Sequence, residues 1–130
     1  MIMTDKLKYV SAALCALFSF LFGGVDMFLK ILIAFAIIDY ISGVIAAIVN
    51  NKLNSASGFK GIFKKVCIFL VVAVAHMIGQ ALEMPSVRSL VCGYYIANEG
   101  ISILENSAKA GLPIPEKLKE ILEQLKNDSK

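Results

Sequence analysis

Tryptophan is missing from this 130-residue chain, histidine occurs once, proline three times and cysteine three times, and charged residues make up only 18%. An average soluble chain carries about 25% charged residues. One histidine and three scattered cysteines, with no CxxC or zinc-type spacing, exclude the usual metal clusters. Cys15, Cys67 and Cys92 all lie inside apolar runs and read as small buried residues. No nucleophile–base pair stands out. Gly58-Phe59-Lys60-Gly61 lacks the GK[ST] ending of a phosphate loop. The net charge of +3, with no basic patch interleaved with aromatics, gives no footing for nucleic acid. No cofactor and no enzymatic activity are expected.

Apolar residues fill the space that charge leaves. They make up 58% of the chain, and the mean hydropathy is +0.74. A domain of this size has too little interior to hide that much apolar surface. The composition is also the reverse of a disordered segment. The expectation is an all-α integral membrane protein with three to four short transmembrane helices plus a C-terminal amphipathic helix. Long uninterrupted apolar runs favour helices over the short alternating segments of a membrane barrel.

Four runs stand out: Tyr9 to Phe28, Ile31 to Val49, Val66 to Leu82, and Val87 to Leu104. The first resembles a signal peptide in shape, but no small-x-small cleavage site is evident near Gly23–Gly24, so it is expected to be retained. It qualifies as a span if the helix continues through those glycines. The fourth is the least apolar and could lie shallow, re-enter or pack inside an assembly. Lys52, Lys60, Lys64 and Lys65 occupy the stretch from Asn50 to Lys65 with no acid, which reads as a cytoplasmic basic loop. With four spans, both termini fall on that side, and only Lys30 and Arg88 of thirteen basic residues lie on the other. The predicted place is therefore a bacterial cytoplasmic membrane, multi-pass, N-in and C-in.

Residues 1–110 form the predicted transmembrane region and 111–130 a Pro-hinged cytoplasmic tail. Leu118, Ile121, Leu122 and Leu125 fall on one face of an amphipathic helix over Glu116–Lys126. That helix reads as a cap on the bundle or on a neighbouring copy, or as one lying on the membrane.

Polar groups inside the runs are candidate pore-lining or inter-helix residues: Asp39, His76, Gln80, Asn98 and Glu99. A charged Asp at mid-bilayer costs about 2.5–3.5 kcal/mol on insertion scales, so such a residue serves a cavity, a pore or a partner helix. Glu99, Ser102 and Asn106 form a polar stripe at helical spacing. Ser42, Gly43, Ala47, Ala75 and Gly79 sit at small-xxx-small spacings that let helices approach closely.

The order of motifs resembles one family. Asp39-Tyr40-Ile41-Ser42-Gly43, then Asn51-Lys52-Leu53-Asn54-Ser55, then Gly58-Phe59-Lys60-Gly61-Ile62-Phe63-Lys64-Lys65 are similar to the phage holins that include toxin-secretion holins. So are Tyr95-Ile96-Ala97-Asn98-Glu99-Gly100-Ile101-Ser102-Ile103-Leu104-Glu105-Asn106 and Gly111-Leu112-Pro113-Ile114-Pro115. The likeness runs from about Ile31 to Lys126. It implies a homo-oligomer in the lipid bilayer that opens a lesion for an endolysin or a large toxin. The competing readings are a small proton-coupled transporter using membrane carboxylates and a membrane scaffold that binds a partner through its tail.

Overall fold

The computed structural model describes residues 2–128. Every regular element among them is a helix: α1 Ile2–Phe22, α2 Met27–Val49, α3 Ser55–Ala81, α4 Ser86–Lys109 and α5 Glu116–Asp128. Lys130, one of the thirteen basic residues and part of the predicted tail 111–130, lies outside the described residues. Two helices, α2 and α3, are long and apolar enough to cross a bilayer. The other expected spans are helices of similar length, α1 with 21 residues and α4 with 24. Both hold charged residues: Asp5, Lys6 and Lys8 near the start of α1, and Arg88, Glu99, Glu105 and Lys109 along α4.

The first helix does not continue through the glycines. Gly23 and Gly24 take φ of +77° and +112°, conformations open to residues without a Cβ, and α1 stops at Phe22. Asp26 then caps α2, its side chain accepting from the Leu29 N–H at 3.0 Å. The basic stretch is not a loop. The Asn54 side chain accepts from the Ala56 N–H at 2.8 Å and starts α3 at Ser55, which places Lys60, Lys64 and Lys65 on helix and leaves Lys52 alone in the link. Lys30 and Arg88, the two basic residues expected on the other side, stand on α2 and α4.

Helices α2, α3 and α4 end alike. A left-handed residue follows each (Asn51, Glu83, Gly111), and the next N–H reaches back over the last turn: Lys52 to the Ala47 carbonyl, Met84 to Gly79 and Leu112 to Ser107, at 2.7–3.0 Å. These tight stops keep the links short and the neighbours antiparallel.

Helix α4, whose sequence is the most polar of the four long helices, lies at the centre. It packs against α2, α3 and α5 and buries Arg88, Cys92, Gly93, Ile96, Ala97, Glu99 and Gly100. Its apolar side joins Leu29 and Leu32 of α2 and Ile68 and Val72 of α3 in one core. The most apolar helices stand outside and turn Ile33, Ile37 and Ile41, and Leu70, Val74 and Ile78, outward. A soluble fold has the opposite polarity. Helix α1 packs on α3, and none of its side chains is buried. Of the cysteines only Cys92 is buried; Cys15 and Cys67 sit on the outer faces of α1 and α3.

Arg88 locks the α1–α2 link to α4. Its guanidinium donates to the Phe22 carbonyl at 2.6 Å, the Asp26 carboxylate at 2.6 Å and the Gly24 carbonyl at 3.2 Å. The Arg88 hydrogen bond holds the Asp26 carboxyl below its ordinary value of 3.8. A depressed acid contributes stability above its unfolded pKa and loses it as pH falls through the folded one. Asp26→Asn keeps the cap and removes the charge. In detergent, the unfolding midpoint of the variant should lie below that of the parent near neutral pH, and the gap should close below about pH 4. A gap unchanged down to strong acid refutes the pairing.

Candidate functional site

Asp39, Lys65 and Glu99 come from three helices and meet at one point. Asp39 lies ten residues before the end of α2, Lys65 ten after the start of α3, and Glu99 ten before the end of α4. At 1.5 Å per residue, each stands about 15 Å in from the same end of the bundle. That distance is about half the 30 Å thickness of a bilayer's hydrocarbon layer. Antiparallel pairing with tight turns therefore brings the three side chains level.

One ammonium serves two carboxylates. Lys65 Nζ donates to Asp39 Oδ2 at 2.6 Å and to Glu99 Oε2 at 2.8 Å. Glu99 is 3% exposed, and Asp39 and Lys65 are 12% and 16% exposed. Asn106 completes the group. Its amide nitrogen donates to Asp39 Oδ1 at 2.9 Å, to the Asp39 carbonyl at 3.2 Å and to Ser42 Oγ at 3.1 Å. Ser42 Oγ donates in turn to the Asp39 carbonyl at 3.0 Å. A Cβ on Gly43 would sit 3.5 Å from the Asn106 amide, in ordinary van der Waals contact, so α2 and α4 lie close here.

An open crevice of about 300 Å³ leads from the α2–α3 link to this cluster, past Lys52, Ser57, Gly58 and Lys64 to Asp39, Lys65, Ser102 and Asn106. A second, of about 370 Å³, adjoins it between Gly43, Ala47, Lys52, Asn106 and Lys109. Asn50 braces that end by donating to the Ala46 carbonyl at 2.8 Å and the Lys109 carbonyl at 3.0 Å. The polar cluster is thus open toward the lysine-rich end.

His76 and Gln80 belong to a different place, the far end. His76 is buried against the α1–α2 link, where a Cβ on Gly23 would lie 2.5 Å from its Cε1. With Gln80, Asp26, Pro85 and Arg88 it borders a crevice of about 220 Å³. Asn98 is half-buried on α4 and makes no side-chain hydrogen bond among the described residues. Ala75 is buried on α3, and Gly79 lets the turn after α3 close, since a Cβ there would sit 2.8 Å from the Met84 carbonyl.

The sequence reading missed Lys65 as ion partner and Arg88 as clamp, and it had Asn106 only as part of the polar stripe with Glu99 and Ser102. Lys65 carried a usable signal, its equal offset from the turn relative to Asp39. Among the described residues no three His, Cys, Asp or Glu side chains converge as metal ligands would.

Comparison with known proteins follows the same lines. Residues 16–127 match the Bacteriophage holin family. An uncharacterised protein of Listeria monocytogenes is 44% identical over 117 residues, covering 89% of this chain and 84% of its own. A 14.9 kDa protein of Clostridium perfringens, named for its position in the nagH 3′ region, is 44% identical over 125 residues and 95% of each chain. A protein of Bacillus phage phi105 named a probable holin is 38% identical over 112 residues, 85% of this chain and 82% of its own. No solved structure matches.

Removing one partner from a buried ion group leaves the other charge uncompensated, at a cost of about 3–5 kcal/mol. Lys65→Met should destabilise the bundle by about that amount, read from unfolding in detergent. Adding Asp39→Asn and Glu99→Gln should restore most of the loss, because no unpaired charge remains. A triple variant as unstable as Lys65→Met alone would contradict the ion-group account.

Proposed function

The chain belongs to the bacteriophage holin family, and from that premise we propose that it gathers into homo-oligomers in a bacterial cytoplasmic membrane and opens a lesion there. An endolysin, or a large toxin, would be the cargo that crosses. In this reading α1 and α4 join α2 and α3 as spans, and both termini lie on the cytoplasmic side with Lys52, Lys60, Lys64 and Lys109. That arrangement satisfies the bias of basic residues toward the cytoplasm.

The observation that carries the reading is the three-helix ion group at mid-depth. A holin must first accumulate without leaking and then tolerate water. Asp39, Lys65 and Glu99 meet both needs: paired within one chain they leave the outward faces of α2 and α3 apolar, and the crevice beside them already admits water. Such a group is stable in a closed bundle and ready to be hydrated when bundles rearrange. Carboxylates reached by water also suit a proton-coupled transporter, which differs in what it lets through.

Expression in a bacterial host separates the two. With a cytoplasmic endolysin present, culture density should collapse abruptly after a delay; with the endolysin absent, growth should stop without clearing. Asp39→Asn and Glu99→Gln should shift the onset of collapse at matched expression. No collapse with endolysin, together with substrate-dependent proton flux in vesicles, would replace the holin reading with the transporter.

A further inference from the structure

The basic end of the bundle opens into the two adjoining crevices, which share Gly43, Ala47, Lys52 and Asn106. Four lysines line them, Lys52, Lys64, Lys65 and Lys109, against one acid, Asp39. Asp39 and Glu99 are both held by Lys65. Lys52, Lys64 and Lys109 are exposed and have no ion-pair partner among the described residues. Glu105 and Glu116, on either side of the Gly111–Pro115 turn, border a separate crevice with Lys119. The three free ammonium groups therefore present a setting for an anion with several acceptor oxygens.

An apolar groove begins where the basic crevice ends. It has a volume of about 520 Å³ and is lined by Phe18 and Phe22 of α1, Ile33 and Ile37 of α2, and Ile62 and Phe69 of α3, with only apolar atoms facing it. Tyr40 and Lys65 line both cavities. Lys65 turns its methylenes to the groove and its ammonium to the carboxylates. Tyr40 lies against α3 where glycines leave room: a Cβ on Gly61 would sit 3.8 Å from its ring, and one on Gly58 3.3 Å from its hydroxyl. Gly58 is the nearer of the two to the start of α3. The ring thus stands at the groove and the hydroxyl points toward the lysines, as tyrosines do at a membrane–water boundary. From Val49 back to Ile33 is sixteen residues of α2, about 24 Å. One leaflet is about as long, half of a bilayer's 40–45 Å.

We propose that an anionic phospholipid of the cytoplasmic leaflet occupies this site, its phosphate held by Lys52, Lys64 and Lys109 and one acyl chain laid past Tyr40 along the groove. Basic pockets between membrane helices bind anionic headgroups in this way. The joined cavities select the occupant. A free phosphate would use the lysines and leave the groove empty. A zwitterionic lipid would fill the groove but bring its own cation to the lysines. An apolar helix of a second copy would cover the groove and bring the lysines no counter-charge. The proposal rests on the membrane placement in the holin reading, with these lysines on the cytoplasmic side, and not on the opening of a lesion. A chain in the groove bridges α2 and α3, which touch each other far less than either touches α4, so occupancy steadies the bundle.

The test uses full-length protein in phosphatidylcholine vesicles that hold a minor fraction of phosphatidylglycerol. The chain has no tryptophan, so Ile37→Trp places a reporter in the groove, and Leu70→Trp places one on an exposed face of α3 outside it. Bromine is carried on the chains of one lipid or the other, at equal fractions. The reporter at position 37 should favour brominated phosphatidylglycerol about ten-fold, within what a few lysines near an anionic surface supply, and the reporter at position 70 should show no preference. Lys52→Gln, Lys64→Gln and Lys109→Gln together should remove the preference at position 37. Lys60→Gln, which alters a lysine outside both crevices, should leave it. With no reporter, phosphatidylglycerol added in detergent should raise the unfolding midpoint of the parent and of Lys60→Gln, and not that of the triple variant. Inorganic phosphate or glycerol phosphate, at matched ionic strength, should displace nothing. Equal quenching of position 37 by the two lipids overturns the proposal. So does a preference that Lys60→Gln lowers as much as Lys64→Gln alone, the sign of a diffuse attraction, and so does displacement of the brominated lipid by free phosphate. A protein that selects phosphatidylglycerol in these tests yet never clears a culture supplied with endolysin would refute the holin reading and leave the lipid site in place.

Discussion

A single ammonium group has to satisfy two carboxylates in the middle of an apolar bundle, and most of the architecture follows from that need. Lys65 can reach Asp39 and Glu99 only if α2, α3 and α4 are in register to within about one residue, 1.5 Å along a helix. The tight stops at Asn51 and Glu83 provide that register, since each fixes where one helix ends and the next begins. Asn50 holds the ends of α2 and α4 together, and Asn106 fixes the Asp39 carboxylate from the far side. A buried ion group is weak evidence for net stability, but a mispaired one is expensive. Its effect is to penalise every slipped arrangement of the three helices, which apolar side chains sliding past one another would not do.

Placing those charges inside decides what goes outside. Helix α4 carries the polar residues and is enclosed by α2, α3 and α5, while the greasier α2 and α3 form the rim. Lipid solvates Ile37 or Leu70 as well as a protein core does, so no driving force pulls them inward. The least apolar run is central for that reason and not despite it: its Arg88, Glu99 and Asn106 each find a partner on another helix or its link. Arg88 repeats the logic at the opposite end, where three groups of the α1–α2 link accept from one guanidinium.

The helices and their order were legible in the sequence because long apolar runs and Asx or glycine stops mark them directly. Asp39 and Glu99 were legible too, as charges too costly to leave in lipid. Lys65 was not, because a lysine beside a charged stretch looks like the edge of a loop; only the cap at Asn54, eleven residues earlier, shows that it stands well inside a helix. Arg88 was hidden for the same reason, at the start of α4. The end of α1 at Phe22 depended on the φ of two glycines, and glycine is compatible with either outcome. His76 and Gln80 share the set of candidate polar residues with Asp39, but in the sequence they already stand near the end of the third run. The turn arithmetic separates them: Lys65 is ten residues into α3 and His76 twenty-one, about 16 Å further along the helix.

Depth also separates two ways in which this chain handles polarity. The ion group hides opposite charges from lipid by pairing them within the bundle, so it needs nothing from outside. Helix α5 does not hide its charges. Its acids at 120, 123 and 128 point away from α4, and the described structure offers them no ion-pair partner. The two arrangements follow one rule: a charge inside an apolar bundle needs an opposite charge within reach, and a charge on an exposed helix needs polar surroundings.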